Sequence, residues 1–530
     1  MGLAGALAGL TACASDTPPP PTGFGSGSVG GFAGAVAADE PRAVLVARDV
    51  LSGGGSAGDA AVAAYFTMAV TLPSNAGLGG GGACLANDAK KKSVDAIVFL
   101  PLASPDGQIG LPVNVRGMAL LQARHGSMHW AELLAPAGDL ALHGTAISRA
   151  LAREIITAGD KLRADPELAR VFVAPDGHLL GEGENLVQPE LGSIIGQIAT
   201  RGAGDLYVGG VAQRLVASAE TAGLPLSIET LRNTLPQLGD PLTIEAGNEA
   251  VYFTPPPADG GLVAAQILAL LTETKDWGDA SASERPHLLA EASMRVLGER
   301  SHWQQPGGAA TSAPADLLAE SHLSDLMNSY SSDHTTPAAS LNPPPGPPHA
   351  ENPWAASIVT VDKQGNAVAC NFTMNDLFGS GRMLPGTGVI LSAAPNQTGQ
   401  DPFNLGPILA TSGGNGAFHF AAAASGGVTA PTAVAQVFLN SLVGQQSLES
   451  AVIAGRIHHN GQPDVVFHEP NTDPATLQSL TAQGHALQQA AILGRVQAIW
   501  CPRGVANERT GCEAKADPRG DGLAIVLQGQ

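Results

Sequence analysis

Alternating strand-like and helix-like segments along this 530-residue chain predict an α+β fold. Three observations carry that expectation. First, Ala356 to Asp362 is small and β-branched, Lys363-Gln364-Gly365-Asn366 is a turn, and Ala367 to Phe372 returns, which makes a β-hairpin. Second, Gly58-Asp59-Ala60-Ala61-Val62-Ala63-Ala64 opens an alanine-rich helix, and the apolar spacing of His287 to Ser301 predicts another. Third, the composition is 44% apolar with 4% aromatics and 66 glycines, a globular chain built on small residues. Its length allows a large buried core.

The formal charge of −20 argues against a nucleic-acid partner. No apolar run is long enough for a transmembrane helix in the mature domain. At the N-terminus, Leu3 to Leu10 is apolar, and Leu10-Thr11-Ala12-Cys13 resembles the bacterial lipoprotein cleavage box. Residues 1–12 are therefore expected to be a signal peptide. Cys13 becomes the lipidated first residue and membrane attachment point, and residues 13–30 form a Pro/Gly/Ser tether. The expected location is the bacterial cell envelope, lipid-anchored and facing the periplasm. In that oxidising compartment Cys501 and Cys512, flanking a short polar loop, are the expected disulfide. Cys84 and Cys370 sit in apolar strand patterns and are read as buried free thiols. No C-x-x-C motif is present, so no zinc, redox or other cofactor site is expected.

The hairpin runs on into a glycine-rich loop, and its residues resemble the gamma-glutamyltransferase (glutathione hydrolase) family of N-terminal-nucleophile hydrolases. The family's V-x-V-D is Val359 to Asp362, its G-N-A-V is Gly365 to Val368, its T-x-N is Thr373 and Asn375, and its F-G-x-G is Phe378 to Gly381. The resemblance extends over most of the chain from about Leu45. It implies a four-layer αββα sandwich of two packed sheets between helix layers. Residues 31–332 then correspond to a large-subunit-like segment and 354–530 to a small-subunit-like segment of the same domain. Between them residues 333–353 form a proline-rich connector, expected to be exposed, where the family has its processing loop. His334-Thr335-Thr336 lies in that connector, too early to be the family's nucleophile motif. The run Gly79-Gly80-Gly81-Gly82 lacks a following Gly-Lys-Ser/Thr and is read as a close-packing turn rather than a phosphate cradle.

At the site, the resemblance implies losses. The family's nucleophilic Thr falls on Ala355, its second Thr on Ala356 and its His on Ser357. Alanine has no hydroxyl for self-cleavage or covalent catalysis. The family's carboxylate-gripping Arg falls near Leu100, and no Arg occurs between Lys92 and Arg116. The Asp that holds the substrate ammonium falls on Gln397, and the Ser-Ser pair falls on Leu409-Ala410, with Thr411-Ser412 next to it. Gln397, Thr411 and Ser412 are thus the expected substrate pocket. Thr373 and Asn375, at spacing two on one extended face, and the oxyanion-hole glycines Gly426 and Gly427 remain. Arg456-Ile457-His458-His459 and Asp517-Pro518-Arg519 match the family's Arg-Phe-His-His and Asp-Pro-Arg. Adjacent histidines point apart, so no metal site is expected there.

Three functions are compatible with these residues. The first is an uncleaved, non-catalytic envelope lipoprotein that binds a small-molecule, peptide or protein ligand. The second is an autoprocessing amidohydrolase with Ser357 as alternative nucleophile, since side chains two apart share a strand face and Ser357 shares that of Ala355. The third is ordinary gamma-glutamyl transfer or glutathione hydrolysis. Nothing in the sequence fixes an oligomeric state.

Overall fold

The computed structural model describes residues 1–2 and 31–529, apart from 275–276, 306–308, 347–349, 352, 396–399, 402–403 and 506–510. Cys13 and its tether lie outside the described residues.

Two sheets pack face to face. The first has seven strands in the spatial order Leu523–Gln528, Phe32–Ala38, Ala356–Asp362, Ala367–Thr373, Gly81–Asp88, Ser93–Phe99 and Gln237–Gly239. The second has six, in the order Glu513–Lys515, Arg495–Trp500, Phe418–Ser425, Ile408–Ser412, Glu249–Phe253 and Leu242–Ala246. Both sheets take strands from either side of residues 333–353, so the connector does not divide the core.

Period-two alternation explains the hairpin's place. Val359, Val361, Ala367 and Ala369 point between the sheets, against Leu409, Ala421, Ala423 and Ile499. Ile358, Val368, Cys370 and Phe372 point the other way, into the cluster built on the helices Pro41–Ser52 and Ala57–Thr71. Both faces are apolar because both are covered. Ala57–Thr71 is buried along its whole length, and a capping box between Ser56 and Asp59 satisfies its first N–H groups. On the far side Gly260–Ala269, Arg285–Trp303 and Thr429–Phe438 cover the second sheet. The result is the expected αββα sandwich.

The four-glycine run is a packing device. A Cβ on Gly79 would lie 2.0 Å from the Ile390 carbonyl oxygen, and one on Gly82 would lie 2.2 Å from that of Asn371.

One expectation is corrected here. Cys84 and Cys370 are not free thiols. They stand opposite one another on neighbouring strands, with Cα atoms 4.1 Å apart, and form a disulfide. Their partnership depends on a register set by chain segments 286 residues apart, which no local pattern encodes. The expected Cys501–Cys512 disulfide is also formed.

The connector is exposed along much of its described length and pinned at Thr335 and Thr336. The Thr335 hydroxyl and Thr336 N–H donate to the Glu291 carboxylate at 2.8 and 3.1 Å, and Arg295 donates to the Thr336 hydroxyl at 2.9 Å. The Glu291–Arg295 pair is buried, and such charges require this many partners. Among the described residues no helix is long and apolar enough to cross a membrane.

Candidate functional site

The site lies where the chain enters the hairpin, at one end of the sandwich. Ala355 is buried there among Ala83, Val98, Leu100, Ala258 and Leu405. The positions expected to carry a hydroxyl and a guanidinium therefore touch one another's neighbourhood as a closed apolar cluster. Gln397 lies outside the described residues.

Thr373 sits at the end of its strand. Its hydroxyl faces the Trp354 carbonyl oxygen at 3.4 Å and accepts from the Asn375 N–H at 2.9 Å. That second bond folds the chain into a turn in which Asn375 adopts a φ of 61°. Asn375 is therefore not on one extended face with Thr373, contrary to the spacing-two expectation. Its side-chain amide instead ties the Pro101 and Ala393 carbonyls together, at 3.0 and 2.9 Å.

Ser357 faces the space between the sheets and is wholly enclosed. Its N–H donates to Asp39 Oδ2 at 2.7 Å, and its Oγ accepts from Asn371 Nδ2 at 2.9 Å. The same Asn371 amide reaches the Ala424 carbonyl at 3.0 Å, and Gln497 donates to Asp39 Oδ1 at 2.9 Å. Burial above all raises the Asp39 carboxyl, with the Arg495 charge pulling it back.

Gly426 and Gly427 form the turn from Phe418–Ser425 into helix Thr429–Phe438, with φ of 139° and 61°. A Cβ on Gly426 would lie 2.7 Å from the Gly494 Cα, so both conformation and space require glycine.

Beside this turn is a cavity of about 330 Å³. Trp354, Ser425, Gly426 and Thr429 line it together with Arg153, Glu154 and Arg495. Burial pushes the Glu154 carboxyl up to about 7. The Ser74 hydroxyl and the Asn75 amide, the latter at 2.8 Å, donate to it.

Thr411 and Ser412 do not reach this place. Thr411 pairs with Phe418, at the opposite end of the strand that terminates in Ser425, roughly 20 Å away along the strand. Thr411 approaches the Tyr252 hydroxyl at 3.4 Å, and the apolar Leu409 packs between the sheets. Counting forward from a resemblance placed them near the pocket, but the direction of the strand carries them away.

His458 and His459 diverge as expected. His458 Nδ1 meets the Thr432 hydroxyl at 3.1 Å and His459 Nε2 meets Asp464 at 3.2 Å. A different trio, His287, Glu291 and His485, brings possible metal-ligand atoms within 4.8 Å of one another. The two imidazoles bond each other at 2.7 Å, and both Glu291 oxygens are taken by Arg295, Thr335 and Thr336. This is a satisfied network rather than an open ligand set.

Sequence reasoning missed Asp39, Glu154, Asn371, Ser425 and Arg495. Only Glu154 had a signal: it shares the buried face of helix Arg149–Thr157 with Leu151 and Ile155.

The Gamma-glutamyltranspeptidase family model matches residues 43–527. The chain is 27% identical to the Glutathione hydrolase proenzyme of Escherichia coli (strain K12), over 94% of each chain. It is 27% identical to Glutathione hydrolase 3 of Arabidopsis thaliana, over 88% of this chain and 80% of that one. In fold it is similar to the cephalosporin acylase from Bacillus halodurans, with a TM-score of 0.80 and 23% identity over 98% of this chain and 100% of the other.

Proposed function

This chain belongs to the gamma-glutamyltranspeptidase family, and from that premise we propose that it is a catalytically silent member: an uncleaved, lipid-anchored envelope protein that binds a ligand instead of hydrolysing glutathione. One observation carries the reading. Ala355, at the family's nucleophile position, is packed against Leu100 and Leu405. The cluster supplies neither a nucleophilic oxygen nor a cation for a substrate carboxylate. Losing one charged partner of a buried pair costs about 2–5 kcal/mol, enough to abolish useful affinity for a glutamyl group.

The geometry around Ser357 favours this reading over the Ser357 nucleophile. Its hydroxyl is enclosed between the sheets and its N–H is held by Asp39, leaving no room for a substrate carbonyl. What survives of the site is scaffold: the Thr373 hydroxyl on the Trp354 carbonyl, and the Gly426–Gly427 turn. The box ending at Cys13 supports the lipid anchor, and loss of detergent-phase partitioning in Cys13→Ala tests it.

The deciding experiment is intact mass under denaturing and reducing conditions. Reduction is essential, because Cys84 and Cys370 lie on opposite sides of residue 355 and would hold two fragments together. One unbroken chain after prolonged incubation is expected. A fragment beginning at Ser357, or release of glutamate from glutathione, overturns the reading.

A further inference from the structure

We infer that the cavity beside Gly426 binds a small organic anion, a carboxylate on an apolar body, held by Arg495, the Ser425 hydroxyl and the N-terminus of helix Thr429–Phe438. This deepens the ligand-binding reading above and rests on it.

Ser425 is 1% exposed, lines the cavity, and its Oγ has no hydrogen-bond partner. A buried hydroxyl in that state is a donor awaiting an acceptor. Three guanidiniums line the same cavity, and two are committed. Arg153 pairs with Asp521 at 2.8 Å, and Arg519 is engaged by Glu469 and Asp517. Arg495 is different: among the described residues no carboxylate lies within ion-pair distance of it, and Asp39 and Glu154 act on it only at longer range. Beside it the ten-residue helix Thr429–Phe438 presents its positive end. A cation, a free hydroxyl and a helix N-terminus converging on one space select a negative charge.

The rest of the wall selects the body. Trp354, Ile492 and Ala150 offer apolar surface. A volume of about 330 Å³ suits a metabolite-sized molecule and excludes a folded partner.

Glu154 makes the site responsive to pH. It lines the cavity, with Ser74 and Asn75 behind it and Arg153, Arg495, Arg519, Asp521 and Asp39 around it. With its carboxyl at about 7, it is mostly neutral at pH 6 and mostly charged at pH 8. Once charged it repels a bound anion, so affinity falls as pH rises.

The test is calorimetric titration of the full chain in detergent with phenylacetate and with its neutral isostere phenylacetamide, at pH 6 and pH 8. Phenylacetate binding is expected to be stronger at pH 6. It should be weakened at least about tenfold by Arg495→Gln and, more modestly, by Ser425→Ala, which keeps the test open if the arginine variant fails to fold. Equal binding of the amide, equal affinity in both folded variants, or no phenylacetate binding would overturn the site. Reduced intact mass of the same sample separates this from the parent reading. An intact chain that ignores phenylacetate removes only the site, and a cut chain that binds it removes only the silent reading.

Discussion

The disulfide between Cys84 and Cys370 closes a loop of 286 residues, whereas Cys501–Cys512 closes one of 11. Chain-entropy arithmetic gives about 5–6 kcal/mol for the long loop and about 3 kcal/mol for the short one, and removal of native disulfides typically costs about 2–5 kcal/mol. The bond also joins two central strands of the first sheet, so its loss leaves voids between the hairpin and Gly81–Asp88. Cys84→Ala/Cys370→Ala is therefore expected to lose about 3–5 kcal/mol, more than Cys501→Ala/Cys512→Ala. The assay is urea unfolding followed by circular dichroism, with reductant present and absent. Reductant should shift the parent toward the double variant and leave the double variant closer to its own unreduced curve. Thiol titration of the unreduced, denatured, lipidated chain should find no thiol among the five cysteines, since four are paired and Cys13 carries its lipid as a thioether. Two thiols, or a Cys84→Ala/Cys370→Ala variant with the parent's midpoint, would refute the reasoning.

Further outcomes follow from the same contacts. Ala355→Thr forces a hydroxyl and a methyl into the cluster of Leu100, Leu405 and Ala258, so it should lower stability by about 1–3 kcal/mol and leave glutamate release from glutathione undetectable; a gain of that activity refutes the view that this pocket is closed to a glutamyl group. Glu154, raised from near 4.5 to about 7, binds its proton more tightly folded than unfolded, so its contribution is fully present below pH 4.5 and is lost as pH climbs past 7, about 3 kcal/mol in all. Glu154→Gln should flatten that fall in thermal midpoints between pH 4 and 8. His485, lowered from 6.5 to about 4 mainly by burial, acts in the opposite sense: its contribution is present above pH 6.5 and drains away as pH falls toward 4, and His485→Gln should remove it. Asp517→Ala strands the buried Arg456 guanidinium, 2.6 Å from its carboxylate, and should cost about 3–5 kcal/mol in urea unfolding.

Local pattern made the core legible. The hairpin's small, β-branched composition, the turn at Gly365 and the alanine-rich helix after Ser56 are properties of short stretches, and the structure keeps each near its expected bounds. The resemblance supplied the layers, and the motif order also placed Leu100 and Ala355 at one site, where the structure packs them together. What failed was long-range. Cys84 meets Cys370 through strand register, and Thr411 is carried off by strand direction. The cavity was invisible for the same reason: Glu154, Ser425 and Arg495 come from three distant segments, and none carries a motif.

The losses that the resemblance implies at the site are coherent on the proposed silent reading. A guanidinium kept near Leu100 without a carboxylate ligand would be an uncompensated buried charge, a state costing several kcal/mol. On the proposed silent reading, a polar residue without a glutamyl ligand would be a liability to folding, and Ala355, Leu100 and Leu405 form a set that packs. The polar groups that persist are those with structural work: Thr373 caps its strand end, Asn375 ties two loops, and Asp39 holds Ser357 and Gln497. Ser425 and Arg495 differ in lining one cavity, a buried hydroxyl without a partner beside a cation that has no ion pair among the described residues. An unmet donor and an unpaired cation in one cavity are what a bound anion would complete.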